Sequence, residues 1–169
     1  MNSTPSLLPM GDEQAYIQAT NGPLTMVDWE DFDELDQYEW YYGRGYFYRK
    51  TRVKGEQKII YMHRHILGLG YGDPLQSDHI NRDRLDNRRG NLRKATQSQN
   101  QANSRMRKDN TSGYRGVQVY RKRFRAFIKV MGNTCHIGYF DTIEQAAEAY
   151  NQRAREVHGA FAYQNRITA

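Results

Sequence analysis

Residues 77–103 read S-D-H-I-N-R-D-R-L-D-N-R-R-G-N-L-R-K-A-T-Q-S-Q-N-Q-A-N, and they constrain the fold more than any other stretch of the chain. Residues 75–80 are short, with apolar and β-branched content, and predict a strand. N-R-D at 81–83 and D-N-R-R-G at 86–90 are turn-rich. Residues 92–95 return as a second strand. T-Q-S-Q at 96–99 has the S/T-x-x-E/Q form of a capping box, with Thr96 as N-cap. The helix that starts there carries Asn100 in its second turn, facing back over the hairpin. Strand neighbours point to opposite faces, so Asp78 and His79 are expected to differ in role.

Eleven residues separate His79 from Asn91, and eight separate Asn91 from Asn100. A hard cation such as Mg²⁺ takes oxygen ligands and keeps several waters, so one or two protein ligands suffice. Asp78 offers a carboxylate oxygen and Asn100 an amide oxygen. Neutral His79 can take a proton from an attacking water. Asn91 suits bracing of the loop through hydrogen bonds to backbone near His79. Arg93 can help neutralise a phosphate. The alternative is a His and two Asn in a polar hairpin with no chemistry.

The pattern D-H-x11-N-x8-N resembles the H-N-H nuclease motif with its ββα-metal fold, and most resembles the HNH homing endonucleases of phages and their mobile kin. The run L-D-N-R-R-G-N-L-R at 85–93 is close to that subfamily. V-D-W-E-D-F through M-H-R-H-I-L-G is also similar to the region preceding the motif in such proteins. The resemblance implies Asp78 and Asn100 as metal ligands, His79 as general base and Asn91 as a structural residue. It implies one divalent metal ion, Mg²⁺ with Mn²⁺ as alternative. Asn100 stands where many members have His, which leaves the metal preference open.

Charge points the same way. The chain has a formal charge of +6, but residues 1–40 hold nine of the 19 acids and no Lys or Arg. All 25 basic residues and the ten remaining acids fall in 41–169, a net of +15. A basic body of this kind suits a polyanion, here duplex DNA. Cys135 is the single cysteine, which excludes an internal disulfide and a cysteine zinc cluster and suits a reducing cytoplasm. No apolar run approaches the ~20 residues needed to span a bilayer. Residues 1–10 lack the basic and apolar parts of a signal peptide, and 1–12 read as a flexible terminus.

Residues 16–19 predict a short strand and 28–35 a short helix with Asp28 as N-cap and a solvated acidic face. Trp29, Phe32 and Leu35 fall on one side of it. Residues 40–48 and 58–62 read as a hairpin across a basic turn at 49–57. A short helix over 61–67 ends at Gly68. His63 and His65 are two apart, which does not place them on one helical face, so packing or contact with a DNA backbone is favoured over metal binding.

Residues 104–112 are polar and basic, with a linker assigned to 106–112. Beyond it the pattern alternates. Val117 and Val119 share a face. Phe124, Ala126, Ile128 and Val130 share one, and Arg125, Phe127 and Lys129 the other. After a hairpin turn at 131–134, residues 135–140 form a third strand. A second T-x-x-Q capping box at Thr142 opens a helix with apolar spacing from Ile143 to Val157, ended by Gly159. Y-R-G-V, I-G-Y-F-D-T and E-Q-A-A-E-A-Y-N closely resemble the plant ethylene-response-factor (APETALA) DNA-binding domain over about 113–165. By position that resemblance makes Arg115, Gln118, Tyr120, Lys129 and His136 DNA-facing. Arg123 and Arg125 join them from the alternation. Several Arg and Trp readers of the plant domain are replaced, so its DNA sequence preference does not carry over.

The expected fold class is α+β: a ββα-metal nuclease domain over 13–105, then a three-stranded antiparallel sheet with one helix over 113–169. The expected function is metal-dependent endonuclease action on duplex DNA, of homing-endonuclease type, in a phage-infected or bacterial cytoplasm, with a monomer favoured. The alternative is a non-catalytic DNA-binding regulator with a decayed nuclease module. An RNA-binding role is weaker, because sequence-specific RNA readers stack splayed bases on aromatics.

Overall fold

A computed structural model of the chain describes residues 14–167, so the flexible terminus expected over 1–12 and the reading of 1–10 fall outside the described residues. The fold mixes small sheets with helices. Its described residues divide into two compact units, 14–73 with 83–93 and 74–82 with 94–167.

The first unit opens with a hairpin of β1 (Gln14–Gln18) and β2 (Leu24–Asp28). Alternation turns Ala15 and Ile17 inward and leaves Tyr16 and Gln18 outside. Helix α1 (Trp29–Leu35) follows without a side-chain cap at Asp28. The Asp28 carboxylate instead accepts the Arg89 backbone N–H at 2.6 Å, a partner 61 residues away that local sequence does not reveal. The acidic face is also less solvated than its composition implies. Asp31 is buried and takes two bonds from the Arg89 guanidinium, at 2.6 and 2.8 Å. Those bonds raise the already high pKa of Arg89, with the Asp31 hydrogen bond the main cause.

A three-stranded sheet runs in the order β3 (Tyr41–Gly43), β4 (Tyr46–Val53), β5 (Glu56–Tyr61). The basic turn expected over 49–57 is mostly strand. Arg49 pairs with Ile60 and Lys50 with Ile59, and the reversal is confined to Lys54-Gly55. Both turn residues have positive φ, as a two-residue hairpin loop of this hand requires. Helix α2 (Met62–Ile66) buries Met62 and Ile66. The core joins Ala15, Ile17, Val27, Leu35, Trp40, Phe47, Met62, Ile66 and Leu92. His63 stacks on Tyr61, and His65 Nε2 lies 2.9 Å from Glu34 Oε1, so each has a packing or hydrogen-bonding role.

The loop 83–91 is built onto β2. Asp86 bridges Met26 in parallel, Asn87 N–H donates to the Met26 carbonyl at 2.8 Å, and the Asn87 amide reaches the Thr25 hydroxyl at 2.8 Å. Arg88 forks onto the buried Asp86 carboxylate with two bonds of 2.8 Å. Fork-to-fork pairs of this kind are geometrically specific as well as strong. Four polar residues of the L-D-N-R-R-G-N-L-R run, Asp86 to Arg89, therefore serve the scaffold.

The second unit contains β6 (Gln76–His79), which pairs with β7 (Leu92–Ala95) in a two-stranded sheet; β7 carries the chain from the first unit to the second. Helix α3 (Gln97–Asn103) starts at Thr96 with both halves of its capping box formed. Next come β8 (Val117–Tyr120), β9 (Arg123–Val130) and β10 (Asn133–Phe140), in the sheet order β10-β9-β8, and helix α4 (Ile143–His158). Thr142 caps α4 with a second complete capping box. Ala126, Ala146 and Ala147 are fully buried where α4 lies on the sheet, beside Ile128, Tyr150 and Ala154. Small alanines permit that close approach. A bulge between His136 and Gly138 resets the alternation, so Ile137 and Phe140 both reach the core.

Candidate functional site

Asp78 and His79 end β6, where the chain turns through Asn81-Arg82. Arg82 has φ of 66° and donates its N–H to the His79 carbonyl at 2.9 Å. Both side chains are buried, Asp78 to 5% and His79 to 6% exposure. They sit on successive strand positions, which gives them opposite faces.

The side chain that grips this pair is Asn103, in the last turn of α3. Its Nδ2 lies 3.0 and 3.1 Å from the two Asp78 carboxylate oxygens, 2.8 Å from the His79 carbonyl and 3.4 Å from the Ile80 carbonyl. Asn103 is itself 5% exposed. Asn100, one turn earlier, is half-buried and donates its amide nitrogen to Gln76 Oε1 at 2.8 Å, which leaves its amide oxygen as the atom it can offer a cation. The motif spacing singles out Asn100 and passes over Asn103. The signal in the sequence is the Q-N-x-x-N run, since residues three apart share a helix face.

Asn91 ends a 3₁₀ turn (Arg89–Asn91), is buried, and donates its amide to the Asp86 carbonyl at 2.8 Å. Arg93 is half-buried on β7. Asp78 and Asn100 each carry oxygen donors, the type of ligand a hard cation such as Mg²⁺ takes. A second carboxylate group, Asp28, Glu30 and Asp31, has its oxygens within 4.8 Å of one another in the first unit. Arg89 occupies it, bonding Glu30 at 2.8 Å besides Asp28 and Asp31, so it is an ion-pair cluster.

On the three-stranded sheet, cross-strand register gathers the remaining candidates. Gln118 pairs with Arg125 and Tyr120 with Arg123; Arg125 also faces Tyr139, and Phe127 faces His136. Gln118, Tyr120, Arg123, Lys129 and His136 are exposed, and Arg125 is half-buried. The Tyr139 ring lies 5.2 Å from Tyr120 and 4.7 Å from His136, an aromatic row that strand alternation alone does not reveal. Arg125 Nε is buried and meets no acceptor among the described residues. Arg123 is engaged by Asp141 at 2.9 Å and by the Tyr139 carbonyl at 3.0 Å. The Arg115 guanidinium is bonded to the carbonyls of Gln101 and Ser104.

An HNH endonuclease family model matches residues 60–102, the span that holds Asp78, His79, Asn91 and Asn100. The chain is also similar to an uncharacterized HNH endonuclease of Acanthamoeba polyphaga mimivirus. The two are 31% identical over 151 residues, covering 86% of this chain and 76% of that protein. No solved structure matches. The chain belongs to the HNH endonuclease family, whose membership implies nuclease chemistry. Among the described residues, no helix is long and apolar enough to cross a membrane.

Replacing Asn103 by Ala is expected to raise the divalent-metal concentration needed for half-maximal cleavage by about tenfold, the lower part of the range for residues that orient metal ligands. A metal titration of the cleavage rate checks this. An unchanged midpoint would remove Asn103 from the site.

Proposed function

We propose that the chain is a metal-dependent endonuclease that hydrolyses phosphodiester bonds in duplex DNA. The observation that carries this reading is the buried Asp78–His79 pair, which lies inside the HNH match over 60–102 and is held by the amide of Asn103 just beyond its end. In this reading His79 accepts a proton from the attacking water as the new P–O bond forms and the bond to the 3′ oxygen breaks. Asp78 and Asn100 would hold one divalent ion, Mg²⁺ or Mn²⁺, through their oxygens. When bound there, the ion supplies charge stabilisation at the phosphate and the leaving oxygen. Arg93 adds positive charge near the phosphate, and Asn91 keeps the preceding loop in shape through Asp86.

Chemistry belongs to the 13–105 module and DNA docking to 113–169, with 106–112 as linker. The sheet face of Gln118, Tyr120, Arg123, Arg125, Lys129 and His136 is the docking platform. Sheets can enter the major groove, and Arg can pair bidentately with guanine. The buried Arg125 Nε, lacking an acceptor among the described residues, supports a phosphate or base acceptor from outside. Resemblance to the plant domain places Arg115 on that platform as well, but its guanidinium is bonded within the chain.

The test is single-turnover cleavage with chelator, Mg²⁺ or Mn²⁺, run beside DNA affinity at several salt concentrations. Cleavage is expected only with metal. Arg125→Ala combined with Lys129→Ala should weaken binding and flatten the log–log salt slope by about 0.9 for each phosphate that is no longer neutralised. Its single-turnover rate should recover at saturating DNA. Binding without cleavage under every metal would instead favour the regulator.

A further inference from the structure

Helix α3 has seven residues and no basic residue in its last turn. A helix this short is unstable alone, and its last carbonyls need partners from elsewhere. Arg115 adds a partner for one of them, the Gln101 carbonyl, which also accepts from the Ser104 N–H at 3.2 Å and the Ser104 hydroxyl at 2.7 Å. Its guanidinium donates to the Ser104 carbonyl and, at 2.9 Å, to the Gln101 carbonyl. A cation at a helix C-terminus is also favoured by the helix dipole.

Arg115 is itself fixed from behind. Its backbone N–H and carbonyl are both taken by the buried Asn165 side chain, at 2.7 and 3.0 Å. Asn165 is in turn bonded through its own backbone to the Asn151 side chain, at 2.7 and 3.0 Å. The Tyr163 ring lies 5.3 Å from the Arg115 guanidinium and 4.6 Å from that of Arg82. Arg105 closes the group by donating to the Arg82 carbonyl at 2.7 Å. One arginine–tyrosine cluster thus holds the turn after His79 and the helix end that carries Asn103.

We propose that Arg115 is a positioning residue for the nuclease site: it caps α3, with Tyr163 it ties the cap to the Arg82 turn, and so it sets where Asn103 places the Asp78 carboxylate. The inference rests on the nuclease reading of Asp78 and His79. It assigns the C-terminal module a part in the chemical step besides DNA docking. Arg115 acts through Asn103 and touches no reacting atom.

The experiment uses the full chain with Arg115→Met, Arg115→Lys and Tyr163→Leu. It measures single-turnover cleavage at saturating duplex DNA across a Mg²⁺ titration, DNA affinity, and amide hydrogen exchange without DNA. For Arg115→Met the half-maximal Mg²⁺ concentration should rise by at least about fivefold, close to the range seen when ligand-orienting partners are removed. Its DNA affinity should stay within about twofold, and exchange should accelerate at 101–105 with β9 protection retained. Lysine should restore only part of the metal midpoint, because a point ammonium does not reproduce the two-carbonyl fork. Tyr163→Leu keeps the guanidinium and should shift the midpoint the same way, which covers the case in which Arg115→Met fails to fold. An unchanged midpoint with weakened DNA affinity would make Arg115 a DNA-binding residue and overturn the proposal, as would unchanged exchange at 101–105. Should the wild type cut no DNA with any divalent metal, the nuclease reading fails, and the exchange data alone decide the role of Arg115.

Discussion

His79→Ala should lower single-turnover cleavage of duplex DNA by about 10²–10⁴-fold, the usual contribution of a positioned general base. That loss corresponds to about 3–5 kcal/mol of activation free energy. DNA affinity should change little, because the imidazole is buried at the end of β6 and the exposed basic side chains lie elsewhere. Asn103 holds the strand end through the His79 carbonyl, which Ala keeps, and a melting curve separates the cost of truncating a buried ring from the loss of chemistry. The measurement is the saturated rate, paired with a binding isotherm on uncleaved substrate. A His79→Ala protein that cleaves at the wild-type rate would remove His79 as the base.

Local features are legible in the sequence and long-range ones are not. Both capping boxes form at Thr96 and Thr142, because the cap and its partner lie three residues apart. The alternation of Phe124, Ala126 and Ile128 against Arg125, Phe127 and Lys129 likewise follows from strand geometry, and Ala126 and Ile128 are buried. The extent of β4 and β5 is hidden because Arg49, Lys50 and Arg52 look like turn residues until their partners Ile60, Ile59 and Gln57 are known. The Asp31–Arg89 pair spans 58 residues, and the acid looks solvated without it. Asn103 escapes notice because motif spacing picks one position per turn. Arg115 reads as a DNA-facing residue by its position in the plant-domain resemblance, since only tertiary structure brings it to the Gln101 and Ser104 carbonyls.

The division of the chain gives these distant interactions a functional meaning. Residues 74–82 and 94–103, which carry Asp78, His79, Asn100 and Asn103, belong to the same compact unit as the three-stranded sheet β8–β10. Damage to that sheet's packing should therefore reach the chemistry, even where no DNA-facing residue is touched.

Gly116→Ala is the sharpest way to cause such damage. Gly116 has φ of 71°, in the left-handed region that costs an L-residue roughly 1–2 kcal/mol. A methyl group there would overlap the Tyr150 ring and lie 2.5 Å from the Phe127 carbonyl oxygen. Neither can yield easily. Tyr150 is a buried residue of α4, and burial pushes its phenol pKa up against the opposing pull of Arg115. The Phe127 N–H donates to the Gly116 carbonyl at 2.8 Å, which locks the two backbones together. Overpacking a site of this kind adds about 1–3 kcal/mol, so a total of about 2–5 kcal/mol is expected. A domain of this size loses roughly 4–8 °C of melting temperature per kcal/mol, so the transition of the second unit should fall by at least about 8 °C. Both tryptophans, Trp29 and Trp40, lie in the first unit, so their fluorescence should stay native while exchange protection over β8–β10 is lost. Because Arg115 precedes Gly116, cleavage should fall together with that protection and remain low when DNA is saturating. If Gly116→Ala melts within about 2 °C of the wild type, the packing of Tyr150 over Gly116 is wrong. If the sheet unfolds and saturated cleavage persists, the nuclease site stands independently of the C-terminal sheet.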